Sequence, residues 1–475
     1  MKRKFIRDIS SNSLQVIINQ LCGLVIFYAL SAFFSKNDFG EINWSLAILL
    51  TFFSILSFGI DQVTVKKIAA GEDARSVLSL YITHVLLAGG LFYGFLLASY
   101  FIFPGFFKHH NLLLFLGIGK LMIFFSTPFK QLANGLERFR ALLYMSVCSN
   151  IIRSSSLILL SFFPKPSLAM VIIIFIIADT VELLLSVFIT KNILKIPLSV
   201  KLNKINYFNL LQESLPQIGV VIFTSAIARF DWIILGILAS NIIVAEYSFA
   251  FKVFELTTLP LLIIAPVLIP FFTRLFHVQV PRPSNEKIND LSNLLRYEMI
   301  IASLAALVLN ILWIPVIDFI THGKYGGVNR ITILILSASM PFIYANNFLW
   351  TINFTQGKLK KIFNIFFITF FINATCDLAL IPFFGAEGAA TGYLTAILIQ
   401  FILFRRKTEL FDLKKSTDPV LVCPLASLAS GISALLLFES TWLILVMSVF
   451  FYFILLIFGR QILMSDRQVL RRIWG

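Results

Sequence analysis

Runs of about twenty apolar residues recur along nearly the whole chain, and no other feature restricts its fold so tightly. A helix of that length crosses the roughly 30 Å hydrocarbon layer of a bilayer with every backbone N–H and C=O bonded internally. Barrel strands would instead alternate apolar and polar residues over segments of about ten. Of the 475 residues 58% are hydrophobic and 13% charged, with a mean hydropathy of +0.90, so water cannot be the solvent for most of the chain. The pattern predicts an all-α polytopic membrane protein.

The apolar windows predict spans at about 12 to 34, 43 to 60, 77 to 103, 111 to 130, 142 to 163 and 166 to 190. A second set of six follows at about 214 to 238, 246 to 273, 294 to 320, 328 to 355, 361 to 383 and 387 to 404. A last pair at about 419 to 438 and 441 to 460 brings the expected number to fourteen. Loop charge tests the count, since one missed helix would scramble the sidedness of every later loop. With the N-terminus inside, the inner segments hold clusters such as Lys2, Arg3, Lys4 and Arg7, Lys66 and Lys67, Arg138 and Arg140, Lys360 and Lys361, and Arg405, Arg406 and Lys407. The outer loops hold Lys36, Lys108, Lys165, Lys324 and Arg330. Both termini are therefore expected in the cytoplasm.

The formal charge of +15 follows this alternation and forms no nucleic-acid patch. Cys22, Cys148, Cys376 and Cys423 all fall inside apolar spans without metal-ligand spacing, so they read as packing residues. The basic start resembles a signal-peptide n-region, but the apolar run after it is too long and is followed by further spans, which makes it a retained first helix. The polar stretches 191 to 212 and 275 to 293 carry no Gly-rich phosphate loop, and no outer loop exceeds about a dozen residues. Membrane-embedded polysaccharide polymerases and ligases need such an outer loop, so an enzyme is not expected.

The two sets of six look alike. Ser35 to Ser45 lies against Ser240 to Ala250 at a constant offset of 205, pairing Glu41 with Glu246, and Asn134-Gly135 matches Gln356-Gly357 before a basic turn. Sets with an even number of helices start on the same side, so they are parallel repeats. The expected organisation is a six-helix lobe over 1–205, a second over 206–408, and an additional helix pair with a cytoplasmic tail over 409–475.

Charges within spans cost a few kcal/mol each in lipid and belong at an interface or in a wet cavity. Lys120, Arg153, Arg229 and Lys252 are the cations, and Asp179, Glu182, Asp231, Glu255 and Asp377 the acids. Lys252 and Glu255 can neutralise each other at i, i+3. Arg153 and Arg229 have no acid three or four positions away, so a partner must come from another helix, from water or from a substrate. A guanidinium grips phosphate oxygens with paired donors, which points these two toward phosphate. Asn12, Gln15 and Asn19 share a face of the first span, and Asn346, Trp350 and Asn353 a face of the tenth. Amides beside an aromatic suit sugar hydroxyls, and equally suit hydrogen bonds between helices. Pro260, Pro266 and Pro270 would bend the eighth span.

Several stretches carry a family resemblance. They are Lys36 to Gly40 leading to Ser57-Phe-Gly59, Asn134-Gly135 with Arg138-Phe-Arg140, Arg229-Phe-Asp231 to Gly236 followed by Ala245-Glu-Tyr247, and Pro382 to Gly388. In order and spacing the chain resembles the multidrug/oligosaccharidyl-lipid/polysaccharide exporter superfamily, in particular the polysaccharide branch with Wzx-type O-antigen flippases. The resemblance implies a V-shaped transporter of two six-helix lobes moving an undecaprenyl-diphosphate-linked oligosaccharide to the periplasmic leaflet by alternating access. It also implies a cationic cavity for the diphosphate-sugar head, for which the residues read above, Arg153, Arg229, Lys120, Lys252, Asn19, Asn346 and Asn353, are the candidates. The acids are candidate charge partners or sites of proton or sodium coupling, with no cofactor or metal. Expected partners are the lipid-linked substrate, membrane lipids, and a polysaccharide polymerase with its chain-length regulator. O-antigen flippases usually have twelve spans, and the last pair departs from that. Lipid II flippases of the superfamily carry arginine in the first helix, and its drug exporters an acid there. This first span holds no basic residue between Arg7 and Lys36 and no acid between Asp8 and Asp38.

Overall fold

A computed structural model describes residues 2–108, 110–163, 166–198, 204–261, 272, 285–408 and 418–462. These are helical almost throughout, and no strand occurs among the described residues. The chain divides into two compact units, Met1–Ala245 and Glu246–Gly475.

In the first unit α1 (Lys2–Phe33), α2 (Lys36–Leu56), α3 (Ile60–Ala69) and α4 (Ala74–Ile102) are followed by a single turn, α5 (Pro104–Phe107). Then come α6 (Leu112–Gly135), α7 (Phe139–Leu160), α8 (Leu168–Phe188) with a closing π-helical turn, α9 (Lys204–Ile227) and α10 (Phe230–Leu238). Local chemistry sets the boundaries. Ser35, Asp73 and Ser167 each accept a backbone N–H of the first turn that the helix leaves unbonded. Between α2 and α3 the chain turns through Phe58 at φ 52° and Gly59 at φ 69°, where glycine relieves the cost of left-handed backbone.

α6 is the hub of this unit, packing on α2, α3, α4, α7 and α8, while α1 packs on α7. An apolar cluster of Val77, Leu78, Ile82, Phe129, Leu132 and Met145 ties α4, α6 and α7 together. α9 and α10 pack on α2, and Trp44 Nε1 donates to Ile233 O at 3.1 Å. Two glycines permit this approach: a Cβ on Gly236 would lie 2.0 Å from the Trp44 ring, and one on Gly40 would lie 1.7 Å from Asn241 O. The stretch 206–245, grouped by hydropathy with the second lobe, thus packs with the first six helices.

α11 (Asn241–Leu256) crosses the division. The second unit then holds α12 (Asn285–Thr321), α13 (Arg330–Thr355), α14 (Leu359–Lys407), α15 (Asp418–Leu437) and α16 (Thr441–Phe458). α13 packs on α12 and α14. The final pair, α15 and α16, packs on α12, where Ser427 Oγ donates to Ser303 O and Tyr452 Oη to Ile300 O, each at 3.0 Å. The proposed sequence repeat has one local counterpart: Ser35 accepts Asp38 N–H, and Ser240 accepts Ile243 N–H, at the same offset of 205.

Among the described residues eleven helices are long and apolar enough to cross a membrane, or twelve if the bent pair of α9 and α10 is one span. Fourteen were expected, and the difference has identifiable places. α14 runs 49 residues, about 73 Å at the rise of an α-helix and too long for one crossing, but Gly385 at φ 52° and ψ −122° interrupts it between the expected spans 361 to 383 and 387 to 404. The eighth expected span, 246 to 273, includes Pro266 and Pro270, which lie outside the described residues, and α11 ends at Leu256, before Pro260. Most other boundaries fall within a few residues of the hydropathy windows, but α1, α2, α9 and α12 begin seven to ten residues ahead of theirs, in polar turns that hydropathy does not count.

Candidate functional site

Three helices of the first unit converge on one buried group of charges. Asp179 and Glu182 sit one turn apart on α8, both buried, with Asp179 fully so. Lys120 on α6 donates to Asp179 Oδ2 at 3.1 Å, and Arg153 on α7 pairs through Nη2 with Asp179 Oδ1. Gly119 makes room, since a Cβ there would lie 2.6 Å from Asp179 Oδ2. Phe175, one turn before Asp179, presents its ring to both cations, 5.7 Å from Lys120 Nζ and 5.3 Å from Arg153 Cζ. Glu182 has its own partners: Lys130 on α6 at 2.7 Å and the Ser149 hydroxyl on α7. One carboxylate therefore bonds two cations directly, while its neighbour bonds Lys130 and acts on Lys120 and Arg153 from a distance.

The group extends at both ends. Arg153 Nη1 donates to Asn150 Oδ1 at 2.8 Å, and Asn150 Nδ2 donates to Asn19 Oδ1 on α1 at 3.0 Å. Toward α3, Asp61 lies near Lys130 and accepts the Tyr81 hydroxyl. Asp61 stands outside the membrane-spanning helices, and burial pushes its carboxyl up to about 6, against the smaller opposing pulls of Ser57 and the Lys130 ammonium.

Arg229 lies close enough to the group to act electrostatically on Lys120, and the other expected site residues are placed elsewhere. Arg229 does not lie within a continuous helix, as its span predicted, but caps α10 at the break where α9 and α10 meet at 52°. Two residues on, Asp231 is buried and accepts the Trp232 N–H at 2.9 Å. Lys252 and Glu255 pair with each other on α11 at 2.7 Å. In the second unit Asp377 is fully buried and accepts Asn373 Nδ2 at 2.7 Å, with Gly392 leaving space for it. Asn346 donates to Gln400 Oε1 and Ile397 O, and Asn353 to Thr408 Oγ1 and Leu349 O. Trp350 stacks on Phe354 at 5.0 Å. Gln15 is half-buried, and the side chain of Asn12 lies outside the description.

Four participants escaped the sequence reading. Lys130 stood at the very end of the expected span 111 to 130, Ser149 and Asn150 had no charge to mark them, and Asp61 stood beyond a span end. Glu298 on α12 was also missed, although an acid within the window 294 to 320 was signal enough; both its oxygens are buried with no hydrogen-bond partner among the described residues.

The fold is similar to that of solved transporters. The lipid II flippase MurJ in an inward closed conformation aligns with a TM-score of 0.75 at 14% identity, covering 94% of this chain and 98% of that one. An inward-facing multidrug resistance MATE family transporter of the MOP superfamily aligns with a TM-score of 0.66 at 12% identity, covering 85% and 99%. A MOP superfamily transporter from Pyrococcus furiosus gives 0.59 at 12% identity, covering 86% and 96%. A search of the curated proteins found no match to the sequence. The model of the polysaccharide biosynthesis protein family matches residues 5–276, more than half of the chain. With many helices long and apolar enough to cross a membrane, a fold similar to that of solved transporters, and that match, the chain belongs to the polysaccharide biosynthesis protein family.

Proposed function

We propose that this protein flips an undecaprenyl-diphosphate-linked oligosaccharide, an O-antigen or capsule repeat unit, from the cytoplasmic to the periplasmic leaflet of a bacterial inner membrane. The observation that carries the reading is the excess of buried positive charge at Asp179, where Lys120 and Arg153 share one carboxylate. Two buried cations on one acid are costly unless a further anion uses them, and a lipid diphosphate supplies one. The amide chain through Asn150 to Asn19 offers donors and acceptors of the kind sugar hydroxyls need. Both termini are cytoplasmic in this reading. The buried acids Asp179, Glu182, Asp231 and Asp377 are the candidates for proton or sodium coupling. A polymerase with its chain-length regulator takes up the product.

The test is deletion of the gene, with analysis of the surface glycan and of lipid-linked intermediates in the inner leaflet. Loss of one surface polysaccharide with accumulation of its undecaprenyl-diphosphate repeat unit is the expected result. A second reading, flipping of lipid II, draws on the fold likeness to MurJ, which extends over 98% of that chain. Accumulation of lipid II with an intact surface polysaccharide would select it.

A further inference from the structure

We propose that Asp179 is an internal counter-ion that the phosphate group of the transported lipid displaces from Lys120 and Arg153. The inference rests on the flippase reading and says how the charge cluster would work.

The geometry is that of an anion site already holding an anion. The carboxylate comes from α8 and its two cations from α6 and α7, so three helices contribute one group each. Lys120 and Arg153 are each 8% exposed; Asp179 is the carboxylate that bonds both, while Glu182, one turn away and held by Lys130 and Ser149, eases their repulsion only from a distance. Arg153 Nε is buried and has no hydrogen-bond partner among the described residues, leaving an unused donor beside the paired group. A carboxylate carries one negative charge and two oxygens, so it cannot cancel two cations and fill that donor. A phosphate ester or diphosphate has more charge and more acceptor oxygens, and can do both. Exchange rather than simple addition also suits a carrier. The cations are never bare when the site is empty, and the returning carboxylate competes with the ligand, keeping binding weak enough for release.

Inorganic pyrophosphate, binding to purified full-length protein in detergent, is the probe, read by calorimetry and by thermal unfolding. Asp179→Asn removes the competitor and should tighten pyrophosphate binding at least about tenfold, the scale of one charge-assisted hydrogen bond. Lys120→Met leaves Arg153 and Asp179 as a neutral pair and should weaken binding at least about tenfold. The double variant, Lys120→Met with Asp179→Asn, keeps one free guanidinium and should bind more weakly than Asp179→Asn alone. Unchanged or weaker binding by Asp179→Asn overturns the proposal. If that variant does not accumulate, Lys120→Met decides, and wild-type affinity there overturns it. The arms separate the two readings: the affinity order can hold while gene deletion leaves every lipid-linked glycan unchanged, which would sink the flippase assignment alone. Deletion can also trap the glycan lipid while Asp179→Asn fails to tighten, which would sink the exchange alone.

Discussion

Arg153 is the residue whose role changes most once its neighbours are known. Its own helix offers no acid, but α8 supplies Asp179, which Lys120 also holds. Removing Arg153 therefore leaves a neutral Lys120–Asp179 pair, where removal of a lone partner would strand a buried charge at a cost of about 3–5 kcal/mol. Arg153→Ala should accumulate in the membrane at close to the normal level and lose at least about tenfold of its flipping rate, with Arg153→Lys intermediate because it keeps charge without paired donors. Immunoblotting beside a glycan-export assay checks both. Asp61 carries a pH signature. Its folded carboxyl titrates near 6, above the ordinary value of 3.8, so the folded state holds its proton more tightly than the unfolded chain does. Its contribution to stability is favourable at about pH 4 and is lost as pH rises through 6, by about 3 kcal/mol. Asp61→Asn should flatten that part of the thermal-stability profile and raise stability at pH 7; an unaltered slope between pH 4 and 6.5 would count against it.

Single atoms decide the helix contacts. Gly40 faces backbone, the Asn241 carbonyl, whereas Gly236 faces a side chain, the Trp44 ring. Either clash needs a shift of more than an ångström; the ring can move that far by giving up its bond to Ile233 O, and a carbonyl held at a helix start cannot, so Gly40→Ala should cost more than Gly236→Ala. The range is about 1–3 kcal/mol, as for overpacked cores, and thermal unfolding in detergent ranks them. At Gly385 the backbone, φ 52° and ψ −122°, is open to glycine and strained for any other residue. Gly385→Ala should lower stability by about 1–3 kcal/mol and disturb the break that divides α14. These breaks were half legible. Gly385 follows Pro382 in the sequence, and the windows on either side were separated there, but nothing near Arg229 signalled that α9 and α10 part at 52°.

At the scale of the molecule the loop charges make one prediction that needs no atomic detail. With the native cysteines replaced, a thiol reagent that cannot cross the membrane should label a cysteine at Asn241 from outside and leave one at Asn203 unlabelled. The reverse pattern would invert the topology. The last helix pair, unexplained by the twelve-span pattern of O-antigen flippases, packs on α12 through side-chain bonds to the Ser303 and Ile300 carbonyls. Truncation after residue 408 should therefore expose buried polar groups of α12 and lower protein abundance, which a blot of the membrane fraction would detect.

The sequence by itself determined the class, the approximate spans and the expected sidedness, because lipid demands an apolar helix of fixed length and the charge bias of loops is counted residue by residue. It also marked which charged residues were costly. What the tertiary structure alone decided was their partners: Lys120 and Asp179 are 59 residues apart, and Trp44 and Ile233 are 189 apart. Such pairs depend on which helices become neighbours and how each is rotated about its axis. Hydropathy cannot encode that rotation when lipid and protein interior are equally apolar, so small residues such as Gly119 and Gly236, silent in any hydropathy plot, fix it instead.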